Sequence, residues 1–181
     1  MAGGINAWNG FVAEGEYDAG MAYFSGASGA DELIALSWGL EEGNRIFYDR
    51  VSAGTREEET AAVFRTLCAA EGRHKETLRR LYAQVAGTDA DPVPPKGMEA
   101  GRYLEGGSSV EEALAWSAGK PAAEILELAV AMETSSLDRY LKMARAAEDP
   151  RAAEVFRTLS DEEKAHLERM AALLERLRGP A

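Results

Sequence analysis

The sequence predicts an all-α protein, a four-helix bundle made of two antiparallel helix hairpins. Three observations carry this. Apolar residues recur at helical spacing over most of the chain, and no stretch alternates as a strand would. Proline and glycine interrupt that pattern at only a few places. The chain also repeats itself: a shift of 92 positions lays Val63-Phe64-Arg65-Thr66-Leu67 on Val155-Phe156-Arg157-Thr158-Leu159. Two copies of so long a period make a duplicated hairpin within one domain, since a solenoid needs more.

The elements follow in order. A first long helix is expected from about Gly29 to Ala53, with Ser28-Gly-Ala-Asp31 as a capping-box-like start and Gly54 as its stop. A second runs from about Arg56 to Ala86 and ends at Gly87. Prolines 92, 94 and 95 then forbid helix, and Ser109-Val-Glu-Glu112 is a capping box opening a short helix to about Ala118. Pro121 opens the third long helix, where its missing N–H costs nothing. Asp149-Pro150 stops it and caps a fourth, which reaches about Leu177. Short turns make each pair antiparallel, while the long crossover lets the second hairpin repeat the direction of the first. The bundle therefore spans residues 29–178, with hairpins 29–86 and 121–178. Residues 1–28 form an N-terminal segment. Within it the repeat suggests a short helix over about 16–26, with Trp8 and Phe11 as anchors.

Composition narrows the function. At 181 residues with 46% hydrophobic content the chain can bury one sizeable core. It has no apolar run of membrane-spanning length, and no secretory leader is expected, so a cytoplasmic location is the expectation. The net charge of −11 argues against nucleic acid, whose phosphates call for clustered Lys and Arg. Cys68 is the single cysteine, so neither an internal disulfide nor a Cys-x-x-Cys metal site can form from these residues.

The chemistry sits in the repeat. The two histidines of the chain each follow a glutamate by three residues, in Glu71-Gly-Arg-His74 and Glu163-Lys-Ala-His166, and the two pairs are 92 positions apart. The same shift lays Glu41 on Glu133 and Tyr48 on Tyr140. Residues at i and i+3 share a helix face, and counting the helical rise out to each turn and back puts each lone glutamate level with its own Glu-x-x-His. Four carboxylates facing one another in a core are prohibitive without compensation, and two divalent cations cancel four carboxylates. Glu41 is preferred to Glu42, which the repeat pairs with Thr134, and Glu163 to Glu162, which it pairs with Ala70. Tyr48 and Tyr140, two turns beyond the lone glutamates, are read as core residues whose hydroxyls bond a ligand carboxylate on the opposite helix. A redox role is the sharper alternative, which makes them the candidate catalytic residues.

With these residues the chain resembles the ferritin-like superfamily of carboxylate-bridged di-iron proteins, and within it the rubrerythrin group. The likeness rests on Glu41, Glu71-x-x-His74, Glu133 and Glu163-x-x-His166, and covers about residues 29–178. It implies a ferritin-like bundle holding two Fe ions, with Mn or Zn as alternative occupants. Glu71 and Glu163 would bridge; Glu41 with His74 would complete one ion, and Glu133 with His166 the other. It further implies an oxidoreductase that reduces hydrogen peroxide or dioxygen, using an external electron donor such as a rubredoxin or flavoprotein. Ferroxidation and iron storage are the alternative, and a homodimer suits so short a bundle. Two features depart from the group. Ser136 stands where rubrerythrins carry a further glutamate, matched by Asn44 in the other half, and the cysteine-rich rubredoxin-like domain is missing from these residues.

Overall fold

The computed structural model describes residues 29–178, so the expectations for residues 1–28 lie outside the described part. Five helices follow one another: α1 (Ala30–Gly54), α2 (Glu58–Ala86), α3 (Val110–Ser117), α4 (Ala122–Ala146) and α5 (Pro150–Arg178). No strand forms among the described residues, apart from one isolated bridge between Tyr103 and Ser109. The architecture is a ferritin-like helical bundle. The repeat is visible in its dimensions, because α1 and α4 are both 25 residues long and α2 and α5 both 29. Among these residues no helix is long and apolar enough to cross a membrane.

Local chemistry explains several of the helix ends. Gly87 stops α2 in the left-handed conformation, φ 66°, that L side chains resist. Ser109 and Glu112 form a full capping box on α3. Asp149 accepts from the Arg151 N–H at 2.9 Å and so caps α5. Two starts differ from the sequence expectation. Gly29 occupies the N-cap of α1 without any side-chain cap, and Pro121 is the N-cap of α4, one place ahead of the first turn.

Each long helix carries an apolar segment, a polar middle and a second apolar segment. One core joins Phe47, Tyr48, Phe64, Leu67, Leu126, Met132, Met170 and Leu173. A second joins Ile34, Leu78, Leu81, Tyr140, Met143, Phe156 and Leu159. Glu41, Glu71, Glu133 and Glu163 lie between these two sets in sequence on their helices. The bundle therefore encloses a charged layer between two greasy ones, and that layer is the costly part of the fold.

The crossover closes over α1. The Gly101 N–H bonds the Gly39 carbonyl at 3.2 Å, Leu104 is fully buried in the first core, and α3 lies against α1. Backbone meets backbone at Gly43, where an added Cβ would collide with the Tyr103 carbonyl. Gly43→Ala is accordingly expected to cost about 1–3 kcal/mol through overpacking. A chemical-denaturation midpoint unchanged from the parent would contradict this close approach.

Candidate metal centre

Six side chains from four helices meet in the charged layer, all of them buried: Glu41 from α1, Glu71 and His74 from α2, Glu133 from α4, Glu163 and His166 from α5. They meet because each sits at the mid-length of its helix, and because a Glu and a His one turn apart face the same way. The donor atoms of Glu41, Glu71, His74 and Glu163 lie within 4.8 Å of one another, and so do those of Glu133, Glu163 and His166. Glu163 belongs to both groups. Its Oε1 is 3.2 Å from His74 Nδ1 and its Oε2 is 3.2 Å from His166 Nδ1. The imidazoles stack with centroids 5.6 Å apart. Glu71 converges with the first group only, its Oε2 3.2 Å from His74 Nδ1.

Each lone glutamate divides its two oxygens between duties. Glu133 accepts the Tyr48 hydroxyl on Oε1 at 2.5 Å and turns Oε2 to His166 Nδ1 at 2.9 Å. Glu41 accepts the Tyr140 hydroxyl on Oε1 and turns Oε2 to His74 Nδ1 at 3.4 Å. Both tyrosines thus reach across to the carboxylate of the other hairpin. Burial, reinforced by these carboxylates, pushes both phenols well above their ordinary pKa. They stay protonated and act as donors.

The charges are unevenly settled. Burial pushes Glu41 up, but its neighbours Glu71, His74 and Arg139 outweigh burial and leave it well below the usual carboxylate range. Burial likewise opposes ionisation of Glu163, yet the neighbouring Glu133, His166 and His74 bring it down to about 2. Glu71 goes the other way, driven far up by burial and by the Glu41 charge, and Glu133 is pushed up to about 8 by burial and Glu163. Burial disfavours charge on both histidines, but their carboxylate partners prevail, so His74 is raised strongly and His166 to about 9.

The residues fit a pair of metal ions. Both oxygens of Glu71 and Oε1 of Glu163 are buried without an aligned hydrogen-bond donor, although His74 Nδ1 lies 3.2 Å from one oxygen of each, and this is a rare and expensive condition that an ion relieves. Oxygen donors with a few imidazoles suit Fe, Mn or Zn. Glu42 stands outside this layer, tied to Lys75 at 2.5 Å and to Arg45 at 2.8 Å. Glu162 also lies outside, its side chain 41% exposed, but its Oε2 meets Nε2 of His74 at 3.2 Å.

Two contributors escaped the sequence reading. Arg139 is only 2% exposed; its Nη2 donates to Glu41 Oε1 at 2.9 Å, its Cζ lies 3.9 Å from the centre of the Tyr140 ring, and it pairs with Glu105. Glu105 comes from the crossover, where its N–H donates to Asn44 Oδ1 at 3.2 Å. Burial drives its carboxyl up to about 7 although Arg139 pulls the other way. A signal for Arg139 existed: it lies one turn past Ser136 and directly before Tyr140 on α4.

Comparison with known proteins adds two findings. Residues 124–181, the last third of the chain, match the family model for rubrerythrin. A solved structure of a hypothetical protein from Pyrococcus furiosus is similar with a TM-score of 0.61 and 22% identity, over 80% of this chain and 87% of that one. At that identity the likeness speaks for the fold alone. No curated protein sequence matches.

Proposed function

We propose, for a chain whose second hairpin matches the rubrerythrin family and whose bundle is ferritin-like, a di-iron oxidoreductase. It would reduce hydrogen peroxide or dioxygen with electrons from a separate donor protein. The observation that carries this reading is the layer of four buried carboxylates and two histidines, in which Glu71 and Glu163 keep oxygens that no aligned donor satisfies. Two iron ions there would supply one electron each and a Lewis-acidic face toward an oxygen ligand.

The chain's own residues do the rest. In this reading Glu163, with an oxygen toward each histidine, would hold both ions, with Glu41, Glu71 and His74 serving one and Glu133 and His166 the other. Tyr48 and Tyr140 fix the outer oxygens of the lone glutamates. Ser136 and Asn44, one turn beyond those glutamates, are small and carry a buried Oγ and Nδ2 without acceptors, so they are our candidates for contacting the oxidant. Cys68 alone cannot build a rubredoxin-type centre from these residues, and the electrons are assigned to an external rubredoxin or flavoprotein.

Anaerobic protein loaded with two ferrous ions is the test. Hydrogen peroxide should be consumed at one molecule per two ferrous ions, giving two waters with two protons taken up, faster than by free ferrous iron in the same buffer. Oxidation no faster than the free ion would rule the reading out. Uptake of iron well beyond two per chain would favour storage instead.

A further inference from the structure

We propose that the two metal positions are unequal by construction. The group Glu41, Glu71, His74 and Glu163 takes the first divalent cation, and the group Glu133, Glu163 and His166 takes the second more weakly. This rests on the two-metal reading above and adds to it an order of filling and the residues that set the order.

The repeat makes the argument sharp, because it supplies each half with its own control. Six ligands obey the 92-residue shift; three features around them break it, and all three fall on the same side. The first is donor number, four converging side chains against three. The second is Glu162. His74 keeps Nδ1 toward Glu71, Glu163 and Glu41 and meets Glu162 with Nε2 at 3.2 Å. An imidazole that offers one nitrogen to a metal while its other N–H is held by a carboxylate is fixed in tautomer and orientation and is a stronger donor. The position matching Glu162 in the first hairpin is Ala70, a fully buried methyl that can give His166 no such partner.

The third feature is the clamp on Glu41. Glu133 has its outer oxygen held by Tyr48 alone, whereas Glu41 has its outer oxygen held by both Tyr140 and Arg139. The residue matching Arg139 is Phe47, which belongs to the apolar core. A bare guanidinium so near would repel a cation. Here two buried carboxylates, Glu41 and Glu105, lie against it, and what it adds to the site is the fixed geometry of Glu41. Preorganised ligands bind more tightly than those that must first be ordered. Glu162 is therefore a positioning residue for His74, and Arg139 one for Glu41. The second position, with fewer donors and no such supports, holds the more exchangeable ion.

The chain reports on itself, because its two histidines give two separate sets of imidazole NMR signals. Metal-free full-length protein is titrated with zinc, and the signals are assigned by comparison with His166→Asn. The first equivalent is expected to move the His74 set alone, and the second to move the His166 set. Glu162→Ala, a change at a half-exposed side chain, should weaken the first step about 10–100-fold and merge the two steps. Glu162→Gln, whose amide oxygen can still accept the Nε2–H, should restore part of the separation. Both sets moving in parallel, His166 moving first, or a first step within twofold of the parent in Glu162→Ala would each overturn the proposal. A total of one zinc per chain would instead overturn the two-metal reading beneath it.

Discussion

Stripping metal from the loaded protein is expected to lower its thermal midpoint by about 15–30 °C, and by more at pH 9 than at pH 6. The size follows from linkage: each of two ions present at a thousandfold excess over its dissociation constant adds about 4 kcal/mol, about 8 kcal/mol together, and each kcal/mol is worth about 2–4 °C for a chain of this length. The pH trend follows from the metal-free site. Glu71, Glu133, His74 and His166 all bind protons more tightly when folded than when unfolded, with Glu133 at about 8 and His166 at about 9.

The sign of that trend is the same for all four groups. A carboxyl raised on folding burdens the folded state increasingly as pH climbs from its unfolded value toward its folded one. A raised histidine stabilises below its unfolded value and loses that contribution as pH rises through its folded one. Glu41 and Glu163, both lowered, have their stabilising effect in full above the ordinary carboxyl range and do not change between pH 6 and 9. The metal-free protein therefore weakens with rising pH while proton competition for the ligands fades. At neutral pH, loading two divalent ions should displace about four protons, which a pH-stat can count. Calorimetry at both pH values, with and without metal, checks the rest. A metal-free midpoint that rises with pH would refute the assignment.

Glu163→Ala is expected to abolish stable binding of both ions, taking metal content from about two per chain to well below one. Glu163 is the carboxylate shared by the two groups, so its loss removes a donor from each. A weakening of at least about a hundredfold per ion, near 2.7 kcal/mol, is the expected scale. Glu133→Ala should instead keep about one ion, and Glu42→Ala should keep two, because Glu42 is engaged by Lys75 and Arg45 outside the layer. Elemental analysis of all three, with circular dichroism to establish that each remains helical, separates a shared ligand from a general loss of structure. Equal metal loss in Glu42→Ala and Glu163→Ala would remove the distinction on which the site is drawn.

Much of this molecule was legible in the chain because duplication doubles every signal. Helix lengths, short turns and the crossover could be read from Gly87, the Ser109 capping box and Asp149-Pro150, residues whose effects are local. The meeting of Glu41, Glu71, His74, Glu133, Glu163 and His166 could be counted out from helical rise alone. What could not be read is where the halves differ. Setting Arg139 against Phe47, the repeat marks the position as core, and it is core, filled by a buried cation. Glu105 sits in a crossover without periodicity, so only the folded backbone brings it to Arg139. The repeat favoured Glu163 over Glu162 as a ligand; it could not show that Glu162, matched only by Ala70, lies against His74.

The crossing of the tyrosines has a consequence for ancestry and design. Tyr48 on the first hairpin serves Glu133 on the second, Tyr140 returns the service to Glu41, and Glu163 reaches the histidines of both. Neither hairpin can assemble a complete site alone. Two identical hairpins, associated about a twofold axis, could complete both. Symmetry would then forbid an arginine on one side facing a phenylalanine on the other, since every substitution would be made twice. Joining the halves through one crossover lifts that constraint and lets each face of the site mutate independently.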